Sequence, residues 1–172
     1  RCGLDYLLRF RAADLIGILN GVDVDDWNPA TDKSIAANYD VASLKGKAKC
    51  KAALQKRVGL KVDEKIPLFG VVSRLFDQKG LDILARIAQP LVEHMDIQLM
   101  VLGNGEGWLE ESFRNLTGAN GGKIASYIGF DSELSHQVEA GSDFFVMPSR
   151  FEPCGLNQMY SIQIPMVDGL KI

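Results

Sequence analysis

The amino-acid sequence predicts an α/β protein built on an open, doubly wound parallel sheet. Short apolar segments rich in Val, Ile and Phe recur along the chain, and each is followed by a segment in which apolar residues repeat at helical spacing. Residues 66–73 are almost continuously apolar, which is typical of a strand that helices cover on both faces. The 172 residues, 47% of them hydrophobic, suffice to bury the core of one such domain without disulfides or a metal.

Strand and helix patterns alternate from residue 66 onward, which predicts parallel strands joined by crossover helices. The predicted strands cover residues 66–73, 97–103, 125–130 and 143–149. The predicted helices cover the repeat of Leu84, Ile87, Ala88 and Leu91, residues 106–116, residues 132–140 with Ser132 as the N-cap, and a last segment that opens at Gly155. A Gly/Asn-rich loop at 118–122 precedes the third strand.

The N-terminal region differs from this pattern. Residues 15–21 read as a short strand, residues 23–32 as an Asp/Asn/Pro-rich loop, and residues 45–56 as a Lys-rich helix. That helix offers only a thin apolar stripe of Leu44, Ala48 and Ala52, and its lysines are expected to form a solvated face. We therefore expect residues 1–60 to be a connection and residues 61–172 to hold the core.

Composition excludes several classes of function. With 19 basic and 22 acidic residues the formal charge is −3, so no broad basic surface is available for nucleic acid. No apolar run reaches the ~20 residues that a bilayer requires, so no membrane partner is expected. The three cysteines are widely spaced, which favours reduced thiols over disulfides or a metal site. The chain starts without Met or a signal-peptide pattern, and we expect it to come from the middle of a longer protein.

Ligands of open parallel sheets bind beyond the carboxyl ends of the strands. Arg74 follows the first predicted strand and Lys79 precedes its helix, which places a guanidinium, an ammonium and a helix N-terminus around one space. This arrangement suits a phosphate or diphosphate, although a surface Arg and Lys flanking a turn would look the same. The turn from Gly103 to Gly107 either lets a ligand approach the backbone or is a plain turn. It lacks the spacing of a dinucleotide-binding turn, which disfavours a nicotinamide-linked enzyme.

The run PSRFEPCGLNQ follows the fourth predicted strand and presents Glu152 before a helix. A carboxylate there can accept hydrogen bonds from sugar hydroxyls, or it can cap the helix through its dipole. Cys154 is either a packed thiol or a group that lines the site. His136 is expected to be a hydrogen-bonded structural residue and His94 a surface residue. No nucleophile–base set and no metal cluster is visible in the sequence.

Three runs in this order, ILNGVDVDDWNPATD, SRLFDQKG and PSRFEPCGLNQ, resemble the starch synthases and bacterial glycogen synthases. These are glucosyltransferases of the GT-B architecture, in which two Rossmann-like domains face each other across a cleft. The resemblance implies that residues 61–172 form the C-terminal, nucleotide-sugar-binding domain, incomplete at its C-terminus, and that residues 1–60 are an interdomain connection. Other nucleotide-sugar glycosyltransferases, such as a sucrose-forming enzyme, and a catalytically inactive nucleotide- or glucan-binding fragment stay open as alternatives.

The same resemblance implies roles for individual residues. Arg74 and Lys79 hold the diphosphate of ADP-glucose, Glu152 contacts the transferred glucose, and Phe130 lies against adenine. Arg74, Lys79 and Glu152 are the implied catalytic residues. The implied nucleotide-sugar site contains these three residues and also the following: Gly103, Phe130, Cys154, Gly155 and Leu156. The implied reaction extends an α-1,4-glucan with retention of configuration, and it uses no metal and no cofactor. The implied location is a plastid, in the stroma or on a starch granule, or alternatively a bacterial cytoplasm.

Two departures from the family pattern concern the C-terminal end. Gln163 directly precedes Ile164, where the family has a Tyr-Gly-Thr stretch. A Thr-Gly-Gly-Leu turn of the family is reduced to Asp168, Gly169 and Leu170. We therefore expect a partial sequence that lacks half of the phosphate loop as well as the N-terminal domain with its glucan-binding surface.

Overall fold

A computed structural model describes residues 3–164 of the chain and contains a sheet of four parallel strands. The strands are β1 (Leu68–Val72), β2 (Gln98–Gly103), β3 (Ile124–Ile128) and β4 (Phe144–Phe145), in the spatial order β3-β2-β1-β4. The α-helices are α1 (Asp5–Phe10), α2 (Lys45–Val58), α3 (Leu81–His94), α4 (Gly107–Ala119), α5 (Ser132–Gly141) and α6 (Leu156–Gln163). Short 3₁₀ helices cover Ala12–Asp14 and Asp77–Lys79. The predicted α/β class and doubly wound parallel sheet are confirmed.

Helices cover both faces of the sheet, and the side chains of each strand alternate between them. Phe69 and Val71 of β1 point into a core with α3 and α4, whereas Leu68 and Val72 point into a core with α2 and α5. The chain winds outward from β1 through β2 to β3 and then returns to place β4 on the other side of β1. The winding therefore reverses between β1 and β4, and a crevice opens at their carboxyl ends.

The fourth strand is shorter than predicted. Only Phe144 and Phe145 pair with β1, and Val146 adds one hydrogen bond from its N–H to the carbonyl of Gly70 (2.9 Å). Among residues 3–164, β4 has a neighbouring strand on one side only, and Pro148 has no N–H to continue the ladder. The chain instead turns toward Gly80, where an added Cβ would lie 2.0 Å from the carbonyl oxygen of Pro148.

The prediction of a strand at residues 15–21 is wrong. This segment has no regular structure, and Ile16 and Ile18 are 87% and 88% exposed. A strand needs a neighbour for its backbone N–H and C=O groups, and within residues 3–164 no strand lies beside this segment. The prediction also missed α1 and the 3₁₀ helix that precede it.

The Lys-rich helix exists as α2, but its predicted face is wrong. Ala48 is exposed, whereas Leu54 and Cys50 are buried together with Lys47 and Lys51. The buried lysines cover the core with their aliphatic stems, while their ammonium groups are satisfied. Lys51 Nζ lies 2.6 Å from Asp143 and 2.9 Å from the carbonyl oxygen of Glu64, and Lys47 Nζ lies 3.0 Å from that of Ala140. Although α2 precedes the predicted boundary at residue 60, it packs directly against α5.

Helix boundaries differ from the prediction in two places. The N-cap of α5 is Asp131 and not Ser132, because the Asp131 carboxylate accepts a hydrogen bond from the N–H of Leu134 (2.8 Å) while Ser132 is already helical. Helix α4 continues through Gly118 to Ala119, so the predicted loop is shorter and begins at Asn120.

The close approach of Gly103, the last residue of β2, to Ser73 can be tested by substitution. A Cβ at Gly103 would lie 1.8 Å from the carbonyl oxygen of Ser73, which is backbone and cannot rotate away. We expect Gly103→Ala to lower the free energy of unfolding by about 1–3 kcal/mol or more. Gly118→Ala is the matched control, because Gly118 lies in α4 with no atom within 4 Å of an added Cβ. Urea titration should show Gly118→Ala unchanged or stabilised by up to ~1 kcal/mol, and equal stability of the two variants would contradict this account.

Candidate functional site

Two adjoining clefts lie at the carboxyl edge of the sheet. The first, of about 290 Å³, occupies the crevice between the ends of β1 and β4. The second, of about 280 Å³, extends over the ends of β1 and β2 toward the start of α5. Both clefts are lined by Val72, Ser73 and Arg74, which end β1, and by Asn157 of α6. The two clefts therefore share one wall.

The first cleft brings together the three residues that the resemblance implied to be catalytic. Arg74 is exposed, with its guanidinium 5.6 Å from the centre of the Phe76 ring. Lys79 Nζ lies 2.5 Å from Glu152 Oε2, and both side chains are largely buried. The cleft thus has two cations and one carboxylate on its rim. The roles of these residues toward a ligand stay predictions.

Lys79 keeps Glu152 ionised. Its hydrogen bond and its charge hold the pKa of the Glu152 carboxyl below its usual value, against the opposing effect of burial. The alternative, in which Glu152 interacts with the dipole of the next helix, is compatible with the structure. Helix α6 has no side-chain cap hydrogen bond, but the N–H of Gly155, which precedes it, adds to the effect of Lys79 in lowering the pKa of Glu152. The φ of Gly155, +76°, lies in the left-handed region that favours glycine.

The loop that carries Glu152 is fastened to the start of α3 by Arg150. The guanidinium of Arg150 donates two hydrogen bonds to the carboxylate of Asp82, at 2.5 and 2.7 Å. The backbone N–H of Arg150 donates to the carbonyl of Gln78 (3.0 Å). Arg150 lowers the pKa of Asp82 to about 2. Sequence reasoning missed this pair, because an Asp in the first turn of a helix indicates no partner so far along the chain.

Three predicted residues at the start of α6 also line the first cleft. Cys154 is partly exposed there, which favours its interpretation as a site-lining group, and Gly155 and Leu156 lie beside it. Cys50 instead is buried, and its Sγ lies 3.1 Å from the carbonyl oxygen of Ala37. Cys2 and residues 168–170 lie outside the described residues.

The second cleft contains Phe130 and Gly103. The ring of Phe130 is 88% exposed and free to stack against a flat ligand. Gly103 is buried, and the close approach of Ser73 accounts for a glycine there without any ligand. Likewise Gly105 lies against the backbone of Leu75, so the interpretation of this segment as a plain turn accounts for both glycines.

An aromatic stack that the sequence analysis did not find forms another wall of the second cleft. The ring of Trp27 lies between those of Tyr160 and His136, with centroid distances of 4.1 and 4.0 Å. His136 Nδ1 lies 2.7 Å from Asp32 Oδ2, which confirms the prediction of a hydrogen-bonded structural histidine. His94 is exposed near the end of α3, as predicted. The stack joins three segments that are far apart in sequence, so no local pattern predicts it.

Residues 3–164 contain no group of three or more His, Cys, Asp or Glu side chains arranged to hold a metal ion. Within the same part of the chain, no helix combines the length and apolar character needed to cross a membrane.

Comparison with known proteins assigns this arrangement to a family. Residues 54–161, more than half of the chain, match the family described as Glycosyl transferases group 1. The chain belongs to this family. The match includes the ends of β1 and β4 and most of α6, and therefore most of the residues that line the two clefts.

Three individual relatives show which members of this family the chain resembles. The chain is 52% identical to a glycogen synthase of Anaeromyxobacter sp. (strain Fw109-5), covering 96% of this chain and 35% of the relative. It is 53% identical to glycogen synthase 1 of Geobacter metallireducens, covering 94% and 32%. The structure of the catalytic domain of starch synthase IV from Arabidopsis thaliana, bound to ADP and acarbose, superposes with a TM-score of 0.86 at 36% identity, covering 93% and 33%.

These findings confirm the predicted resemblance to starch and glycogen synthases and the assignment to one half of a GT-B fold. The chain spans about a third of the length of each relative. The two curated relatives are bacterial, so the predicted plastid location finds no support in them.

The pairing of Lys79 with Glu152 can be tested by titration. We expect Lys79→Met to raise the pKa of the Glu152 carboxyl toward its ordinary value, because the hydrogen bond and the charge that favour the ionised form are lost. The measurement is a ¹³C NMR titration of the labelled carboxyl group. Arg114→Met is the control, since Arg114 is half exposed on α4 and pairs with Glu110. A Glu152 titration that is the same in both variants and in the parent chain would refute the pairing.

Proposed function

We propose that the chain is the nucleotide-sugar-binding half of a glycogen or starch synthase. The whole protein would transfer glucose from ADP-glucose to the non-reducing end of an α-1,4-glucan, with retention of configuration. The observation that carries the proposal is the meeting of Arg74, Lys79 and Glu152 in one cleft at the reversal of the sheet, next to the exposed ring of Phe130. Glycogen synthases at 52% and 53% identity support it.

The first step of the mechanism is stabilisation of the leaving group. As the bond between the anomeric carbon and the diphosphate breaks, negative charge develops on the diphosphate oxygens. Arg74 and Lys79 present cations in the cleft where this charge would lie. A preorganised donor of this kind commonly lowers the barrier by ~3 kcal/mol. Lys79 carries three N–H donors, so it can contact a phosphate while it still holds Glu152.

Glu152 acts on the sugar. Because Lys79 keeps it ionised, it can accept hydrogen bonds from the hydroxyls of the transferred glucose and orient the ring. Its negative charge also favours the positive character that the anomeric carbon gains in the transition state. The new bond forms between that carbon and the hydroxyl oxygen of the glucan, while the departing diphosphate keeps the electron pair of the broken bond and accepts the hydroxyl proton.

The second cleft would hold the nucleoside. The exposed ring of Phe130 offers a stacking surface for adenine, and Trp27 and Tyr160 form an aromatic wall nearby. Gly103 contributes backbone to the cleft between them. The proposal assigns these contacts to binding of the donor, which is a substrate, and it includes neither a metal nor a cofactor.

The remaining two thirds of the relatives' length would supply the acceptor site and close over the donor. Alignment of donor and acceptor can contribute ~7–11 kcal/mol to the lowering of the barrier. The bacterial relatives favour a bacterial cytoplasm as the location of the whole protein.

The isolated chain tests the binding half of the proposal. We expect it to bind ADP weakly, with an affinity that falls as the salt concentration rises, because Arg74 and a diphosphate beside it are in contact with water. Arg74→Ala should weaken binding roughly tenfold, the usual loss for one charge-assisted hydrogen bond. Arg86→Ala, which removes an exposed cation on α3 outside both clefts, should bind like the parent chain. Calorimetry that finds no ADP binding at low salt, or equal losses in the two variants, would contradict the site.

The isolated chain should also transfer no glucose from ADP-glucose to a malto-oligosaccharide, because the proposal places the acceptor site in the other part of the whole protein. Chromatography of the oligosaccharides gives the readout, and lengthening above a no-enzyme control would show that the described clefts suffice for transfer.

The catalytic assignment is tested in the whole protein that contains this sequence. Arg74→Ala, Lys79→Ala and Glu152→Gln should each lower kcat by about 10²–10³, the usual effect of removing one preorganised charge. Glu152→Gln should keep its affinity for ADP, since Glu152 is assigned to the sugar. Arg86→Ala again serves as the control with unchanged kcat. Unchanged turnover in the Arg74 and Lys79 variants, or loss of ADP binding in Glu152→Gln, would overturn the respective role.

A further inference from the structure

Helix α6 forms part of both clefts and is fastened to the rest of the protein by three side chains. Asn157 Nδ2 donates to the carbonyl of Val72 at the end of β1 (2.6 Å). The ring of Tyr160 stacks on Trp27. The hydroxyl oxygen of Ser161 lies 2.9 Å from Glu139 Oε2 on α5. The last contact is unusual, because its partner is an acidic side chain in the interior.

Glu139 is buried with 1% of its surface exposed, at the base of the second cleft. Its second oxygen, Oε1, has no hydrogen-bond partner among residues 3–164. An ionised carboxylate in this position is strongly disfavoured, because burial removes its hydration and one oxygen gains nothing in return. A neutral carboxylic acid fits the site better, since burying an uncharged group costs far less than burying a carboxylate with one unpaired oxygen.

The charged and titratable groups around Glu139 do not restore the ionised form. From α2, Lys47 approaches, but its ammonium binds the carbonyl of Ala140, and burial lowers its pKa to about 8. Tyr39 donates its hydroxyl to the same carbonyl, and from α6 Tyr160 faces Glu139. At the start of β4, Asp143 is paired with Lys51. Burial raises the pKa of Glu139 itself to about 8, although Ser161 and Lys47 both act to lower it.

We propose that Glu139 is a positioning residue whose carboxyl group, while it is protonated, can stay buried beneath α6, so that α6 packs against α5 and keeps the wall shared by the two clefts in its nucleotide-binding position. The nucleotide in this statement rests on the proposed function. When Glu139 loses its proton to solvent, the buried carboxylate needs more hydrogen-bond donors than the one that Ser161 supplies, so α6 must move or water must enter beside Oε1. The attachment of α6, and with it nucleotide binding, therefore depends on pH.

The direction of the pH dependence follows from the raised pKa. Below the ordinary pKa of a glutamate both folded and unfolded chains are protonated, so Glu139 imposes no penalty. As the pH rises toward about 8, the unfolded chain ionises while the folded chain keeps the proton, and the contribution of Glu139 to stability is lost. If nucleotide binding requires the protonated form, affinity falls by up to tenfold per pH unit above this range.

The first experiment needs no nucleotide and reads α6 through Trp27. The chain has two tryptophans, so Trp108→Phe leaves Trp27 as the sole reporter, in contact with Tyr160 of α6. We expect the fluorescence of this variant to change between neutral and alkaline pH with a midpoint near 8. Adding Glu139→Gln should abolish the transition, because the amide cannot ionise. Adding Glu133→Gln, which is the same substitution at an exposed position on α5, should leave the transition intact.

The second experiment measures ADP affinity over the same pH range. The chain should lose affinity above the transition, the Glu139→Gln variant should bind ADP equally at all these pH values, and Glu133→Gln should behave like the parent chain. Absence of ADP binding at every pH together with an intact fluorescence transition contradicts the proposed function but not the role of Glu139. A fluorescence transition that persists in Glu139→Gln overturns the role of Glu139.

A variant at Ser161 keeps the test decisive if Glu139→Gln fails to fold by circular dichroism. Ser161→Ala removes the hydroxyl that stabilises the ionised carboxylate, so the Trp27 transition should move to higher pH. An unchanged midpoint in Ser161→Ala would show that the observed titration does not belong to Glu139, and the proposal would fail.

Discussion

The reversal of the chain's winding between β1 and β4 is the constraint on which the rest of the structure depends. Successive crossovers from β1 carry the chain to one edge of the sheet, and the return to β4 places its helix, α5, on the opposite face. The loops that follow β1 and β4 must then leave in different directions. The gap between them is the first cleft, and Arg74 and Glu152 enter it because each follows one of these two strands.

The two clefts are held by different physical interactions. The first depends on charge. Arg150 holds the loop that carries Glu152 to Asp82, and Lys79 pairs with Glu152. A chain with a net charge of −3 therefore still places cations in this cleft. The second depends more on packing, because the Trp27 stack and the buried Glu139 form part of its walls. Salt is expected to weaken the first kind of interaction far more than the second.

Sequence patterns predict what local periodicity and turn chemistry determine. The strand β2, the helices of the sheet and the polar ends of β1 and β4 follow from apolar spacing and from Gly and Pro positions. The buried face of α2 does not follow from its sequence pattern, because Lys47 and Lys51 are buried through contacts with Ala140 and Asp143, which are distant in sequence. The segment at 15–21 has a strand's composition but no strand beside it within residues 3–164. Contacts between segments that are far apart in sequence decide such cases, and the contact between Arg150 and Asp82 is another example.

Helix α6 contributes residues to both clefts and so connects them mechanically. Its first residues line the charged cleft, its Asn157 lines both, and its Tyr160 and Ser161 contact the aromatic stack and Glu139. A displacement at one end of an eight-residue helix moves the other end, because its backbone hydrogen bonds make it nearly rigid. Phosphate binding and nucleoside binding are therefore not independent events under the proposed function. A ligand that spans both clefts would stabilise the position of α6 through contacts at both ends of the helix. A ligand confined to one cleft would contribute only one of these sets of contacts.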